Sequence, residues 1–99
     1  MIERGRVEAV IYRAIAALNA EREAGDQIPA AEATVLFGVG SRLDSLALVS
    51  LISDVETTLT TEDGLDVSLA DDRALARKES PYRSVATLRD YVLELARGP

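Results

Sequence analysis

The sequence predicts an all-α four-helix bundle, with three long helices, one short third helix and a long loop between helices one and two. Apolar residues recur at helical spacing in three separate stretches, no stretch alternates apolar and polar residues, and no segment repeats. With 99 residues, 47% hydrophobic and 28% charged, residues 1–99 read as a single domain around one core. The chain has no cysteine, so packing rather than a disulfide staple must supply the stability of so short a chain.

The first helix is expected from Ile2 to Ala24, where Val7, Ile11, Ala14, Ile15 and Leu18 follow the spacing of a one-faced stripe. Gly25 sits where a left-handed cap would stop it, and Pro29 bars quick re-entry into helix. From Gly25 to Leu43 no period is sustained, and four breakers (Gly25, Pro29, Gly38, Gly40) mark a loop. Its length exceeds the roughly 12 to 15 residues beyond which a loop is usually functional or disordered. An ordered functional loop is expected, with Val35, Leu36 and Phe37 pinning its middle to the core.

The second helix should start at Asp44 or Ser45 and run to about Thr60, with Leu48, Leu51, Ile52, Val55 and Leu59 on its buried face. A turn carrying Gly64, Leu65 and Val67 follows, and then a short third helix from about Leu69 to Lys78. Pro81 interrupts, Ser84 caps the last helix, and Val85, Leu88, Val92 and Leu95 form its apolar stripe until Gly98 ends it. Tyr12 and Tyr91 read as packing residues on helix faces.

Composition removes whole classes of function. With neither Cys nor His, the chain has no catalytic thiol, histidine general base, zinc finger or axial haem histidine of its own. Eleven Lys+Arg against seventeen Asp+Glu give −6, a charge that repels phosphate backbones, so no nucleic acid partner is expected. The apolar runs fall far short of the roughly 20 residues that span a bilayer, and Met1-Ile2-Glu3-Arg4 lacks a signal-peptide apolar region. A soluble cytoplasmic protein without membrane insertion is the expectation, and no seam suggests a dimer, so a monomer is expected. Acid pairs such as Glu62-Asp63 and Asp71-Asp72 do not face each other on a helix, so neither a metal site nor a catalytic residue is expected.

At about 100° per residue, the core face of the second helix is centred near 195° when Leu46 is set at 0°, which turns Leu46 outward with Val49 near 300°. Ser50, Ser53 and Thr57 share that outer side. Two outward apolar side chains beside a serine at a helix start form a compact docking surface. Between Arg42 and Arg73 there are eight acids and no Lys or Arg, and Asp54 and Glu56 fall within the helix body. That charge reads either as a solvated surface or as one matched to an electropositive partner. Leu46, Val49, Ser50, Asp54 and Glu56 are therefore the candidate partner-docking residues.

The segment Gly40-Ser41-Arg42-Leu43-Asp44-Ser45-Leu46-Ala47-Leu48-Val49-Ser50-Leu51-Ile52 resembles the modification site of acyl carrier proteins, whose hallmark is Asp-Ser-Leu at the start of the second of four helices. The order of elements, including the Gly64-Leu65-Val67 turn and the Ser84-Val85 start of the last helix, resembles that family over nearly the whole chain. The resemblance implies that Ser45 carries 4'-phosphopantetheine, derived from coenzyme A, through a phosphodiester, with Asp44 and Leu46 at the attachment site. The arm's thiol would hold an acyl or aminoacyl group as a thioester, so the reactive sulfur missing from the sequence would belong to the prosthetic group. The implied partners are a phosphopantetheinyl transferase, an acyl or aminoacyl ligase and a downstream acyl transferase or synthase. The chain would then be a carrier and not itself an enzyme.

On local physics alone Ser45 reads first as a cap or first-turn serine bonded to backbone, a role worth about 1 kcal/mol. Asp44 can cap the helix, engage a transferase, or do both. The second class of function is an unmodified helical interaction module that uses the Leu46 and Val49 surface.

The chain departs from the family's commonest pattern in two places. Arg42 stands three residues before the serine, where the family most often has Gly, and it either neutralises part of a phosphodiester or faces solvent. The outer side of the second helix carries Ala47, Ser50, Ser53 and Thr57 where fatty-acid carriers place several carboxylates. This favours a dedicated carrier of a polyketide, peptide-type or other specialised pathway. Basic residues Arg73, Arg77, Lys78 and Arg83 around Ser80-Pro81-Tyr82 read as a solvated turn or a contact for a partner or the arm. An acyl chain could slip between helices, lined by Leu48, Ile52 and the last helix.

Overall fold

The computed structural model describes residues 2–69 and 80–97. Among them are three α-helices, one short 3-10 turn and no strand. The expected third helix, from about Leu69 to Lys78, lies outside the described residues except for Leu69, as do Asp71, Asp72, Arg73, Arg77, Lys78 and Gly98.

Helix α1 spans Arg4–Asn19 and buries Val7, Val10, Ile11, Ala14 and Ile15, while Leu18 is half-buried. It stops five residues before the expected Ala24, and Gly25 has no left-handed backbone but sits in a 3-10 turn, Ala24–Asp26. Side-chain amides end the helix instead. Asn19 donates to the Ile28 carbonyl at 2.9 Å and accepts from the Ile28 N–H at 2.8 Å. Gln27 donates to the carbonyls of Asn19 at 2.9 Å and Arg22 at 3.0 Å. The last carbonyl of the helix thereby gains a side-chain donor, and the loop is fastened where Ile28 enters the core.

The loop is tied a second time, to the start of helix α3 (Val85–Ala96). The N–H groups of Val85 and Ala86 donate to the carbonyls of Thr34 and Glu32, each at 3.1 Å, and the Leu36 N–H donates to the Arg83 carbonyl at 2.7 Å. Loop carbonyls thus take two of the first-turn N–H groups that a helix cannot satisfy itself. A Ser84–Thr87 capping box completes that end. Of the three residues expected to pin the loop, Leu36 is fully buried, Val35 is half-buried and Phe37 is not an anchor at all: it is 52% exposed.

Helix α2 spans Ser45–Asp63, one turn beyond the expected end, and buries Leu48, Leu51, Ile52, Val55 and Leu59 as its periodicity predicts. Gly64 stops it in the left-handed conformation, at φ +66°. The N–H groups of Gly64 and Leu65 both return to the Leu59 carbonyl, and Leu65 packs against the core.

Helix α1 packs against both α2 and α3, which touch each other much less. Ion pairs reinforce the α1–α2 contact: Arg6 bonds Asp63 at 3.0 Å and Glu62 at 3.1 Å, and Arg13 bonds Glu62 at 3.0 Å. The start of α1 therefore lies beside the end of α2, so the two run antiparallel. Arg89 on α3 is buried with its charge, and it bonds Glu8 of α1, Glu32 of the loop and its neighbour Asp90. Those carboxylates, Asp90 foremost, hold its guanidinium above the ordinary value despite burial.

Candidate functional site

The approach to α2 is built by Ser41. Its hydroxyl donates to the Leu36 carbonyl at 2.7 Å and accepts from the Leu43 N–H at 3.0 Å. Between these closed ends the chain turns through Gly38 (φ +95°) and Gly40 (φ +90°), a left-handed pair that suits glycine. The turn leaves Val39 fully exposed beside Phe37. Sequence reasoning missed this projecting tip, although two glycines flanking one apolar residue were the available signal.

Asp44 is the N-cap of α2. Its backbone is extended, its side chain accepts from the Ala47 N–H at 2.8 Å and its carbonyl accepts from the Leu48 N–H at 3.0 Å. Ser45 is the first helical residue and is exposed, and among the described residues its hydroxyl makes no hydrogen bond. The capping role that local physics offers to Ser45 is filled by Asp44.

This arrangement limits the chemistry available. A serine hydroxyl becomes a nucleophile when a base holds its proton, yet among the described residues no base is bonded to Ser45, and the Asp44 carboxylate faces the helix backbone. Ser45 is thus accessible without being self-activated, at a helix start whose free N–H groups and dipole favour an attached phosphate.

On the outer face of α2, Leu46 is 81% and Val49 63% exposed. They line an open groove of about 510 Å³ with Ser50, Ser53, Asp54 and Thr57. The structure thus brings together Leu46, Val49, Ser50 and Asp54 of the predicted docking residues. It does not bring Glu56, which is half-buried and accepts from the Leu69 N–H at 2.5 Å.

The acidic stretch also divides. Glu62 and Asp63 are engaged by α1, and the Arg13 and Arg6 guanidinium groups, Arg13 foremost, hold the Glu62 carboxyl below the usual carboxylate range. Asp44, Asp54 and Asp66 have no ion pair among the described residues. Leu48 and Ile52, the expected lining of an acyl cavity, belong to the core cluster.

Arg42 is exposed, and its guanidinium makes one long contact, 3.4 Å to the Gln27 carbonyl. Among the described residues no cluster of three or more acids is placed to hold a metal ion, and no helix is long and apolar enough to cross a membrane. No protein-family model, curated protein or solved structure matches the chain.

Proposed function

We propose that the chain is a phosphopantetheine-dependent carrier, working in the cytoplasm, that holds an acyl or aminoacyl group and presents it to partner enzymes without itself being a catalyst. The observation that carries this reading is the exposed Ser45 hydroxyl at the start of α2, unbonded among the described residues, with the capping role already taken by Asp44. The residues fit the group: an accessible hydroxyl for the ester, a helix N-terminus for the phosphate and an open apolar groove one turn away for the partners.

In loading, the Ser45 Oγ–P bond forms as the pyrophosphate P–O bond of coenzyme A breaks. The adenosine bisphosphate leaves with the electron pair, and the hydroxyl proton passes to a base on the transferase. When bound, the group supplies the thiol that carries cargo as a thioester. The protein's own residues do the rest: Asp44 fixes the helix start and flanks the serine, while Leu46, Val49, Ser50 and Asp54 offer the ligase, transferase or synthase one contact surface. Glu56 supports α2 through Leu69 and lies outside that surface.

The same reading completes the fold as a four-helix bundle. Helices α2 and α3 each rest on α1 and barely on each other, and Leu69 and Pro81, which bracket the segment between them, are both buried. A short helix from about Leu69 to Lys78 would join them there. The sparse carboxylates of the groove favour a dedicated carrier over a fatty-acid one.

The test is intact mass after incubation with a promiscuous phosphopantetheinyl transferase and coenzyme A. A gain of one phosphopantetheinyl group, absent in Ser45→Ala, is expected. An unmodified protein that is demonstrably folded would overturn the carrier and leave the Leu46 and Val49 groove as the docking face of an unmodified module.

A further inference from the structure

The five arginines Arg4, Arg6, Arg13, Arg22 and Arg89 each pair with a carboxylate. Arg42 does not, and neither do Arg83 and Arg97 among the described residues, but Arg42 is the single Lys or Arg between Glu23 and Asp72 and stands three residues before Ser45. Its backbone is nevertheless held firmly. The Arg42 carbonyl accepts from Arg22 Nη2 at 3.1 Å, and Arg22 is itself fixed by the Asp26 carbonyl at 2.8 Å and the Asp26 carboxylate at 3.1 Å. A charge-assisted donor fork with only one long contact is thus presented from a fixed position.

Arg42 also rims a cleft on the loop side of the molecule. Ile28, Pro29 and Val35 supply apolar wall, and Thr34 and Gly40 complete a space of about 140 Å³. That is the volume of about five waters, room for a compact branched fragment but not for a whole pantetheine arm. The Thr34 hydroxyl donates to the Pro29 carbonyl at 2.6 Å, so its oxygen lone pairs remain free to accept. Three peptide steps separate Arg42 from Ser45, which limits their Cα atoms to about 11 Å apart.

We propose that Arg42 and this cleft are a resting site for the near half of the phosphopantetheine arm. Arg42 takes the phosphodiester, and the cleft takes the gem-dimethyl pantoyl group next to it. This inference rests on Ser45 being the attachment point. It matches an anion and a branched apolar group, in that order along the arm, to a cation three residues before Ser45 and the small apolar cleft that this cation rims. The site lies on the loop, so an arm at rest leaves the groove of α2 open to a partner, and the distal thiol stays outside.

The test compares amide and methyl NMR spectra of the unmodified and modified protein, with modification established separately by mass. Shifts at Ile28, Thr34, Val35 and Gly40 are expected on modification, with nuclear Overhauser contacts between the pantoyl methyls and the methyls of Ile28 or Val35. Arg42→Ala removes one long side-chain contact and should keep the fold, visible as unchanged α2 amide dispersion. It should abolish those contacts and move the phosphorus resonance. Complete modification with shifts confined to Ser45 and the first turn of α2 would overturn the resting site and leave the carrier reading standing. Failure of Ser45 to be modified would remove both.

Discussion

The two ends of α2 are built on opposite plans. At the far end, Leu59 is wholly buried, Gly64 closes the helix with a left-handed turn, and Glu62 and Asp63 are held by Arg6 and Arg13. These acids sit at a helix C-terminus, where the dipole disfavours negative charge, and the two arginines offset that penalty. At the near end, one side-chain cap holds the helix, Ser45 is unbonded among the described residues, and Leu46 and Val49 stand in solvent. One end of a single helix is anchored and the other is presented, which is how a small protein can keep an accessible serine without loosening its core.

The largest effect should come from exchanging the same side chain at the two ends. Leu59→Ala removes a fully buried leucine and should cost about 2–5 kcal/mol. Leu46→Ala, at an 81% exposed position, should stay within about 0.5 kcal/mol. Urea denaturation midpoints measure both, and comparable losses would refute the division.

A smaller effect should separate two adjacent residues at the presented end. Asp44→Ala loses the cap on the Ala47 N–H and should cost about 1 kcal/mol. Ser45→Ala removes a hydroxyl with no bond among the described residues and replaces it with the best helix former, so stability should hold or rise slightly. Thermal unfolding of the unmodified proteins reads the pair. A Ser45→Ala loss equal to that of Asp44→Ala would make the serine a structural residue.

What the sequence made legible follows from how local each cause is. The start of α2, its buried stripe and the outward turn of Leu46 and Val49 depend on a cap and on helical spacing, both contained in twenty consecutive residues. The end of α1 was not legible, because Asn19 and Gln27 stop it by bonding across the start of the loop rather than through Gly25. The exposure of Phe37 was hidden for a related reason: the register of 32–37 against 83–86 decides which loop residue faces inward. Glu56 looked like a surface acid until the chain returned with the Leu69 N–H. Arg89 is the extreme case, since its burial needs carboxylates from α1, the loop and α3 at once.

The anchored end should also fail first in acid. Hydrogen bonds from Arg13 and then Arg6 lower the Glu62 pKa, so the folded protein binds the Glu62 proton less readily than the unfolded chain does. Stability from this source is complete above the unfolded value of about 4.3 and disappears as pH falls through the lower folded value. Glu32, held down by Arg4 and Arg89, acts in the same direction through the loop. The denaturation midpoint should therefore stay level from pH 7 to about pH 5 and drop below about pH 4. Glu62→Gln removes the charge at every pH, so it should lower the plateau while making the acid-side fall shallower, leaving the share due to Glu32. Amide exchange in the same titration should rise first around Leu59 to Leu65, where the arginine clamp lets go. An acid profile unchanged by Glu62→Gln would mean that the Glu62 pairs with Arg6 and Arg13 add nothing in solution, as many exposed ion pairs do, and that the Arg6–Asp63 pair, Leu59 and Gly64 anchor this end without them.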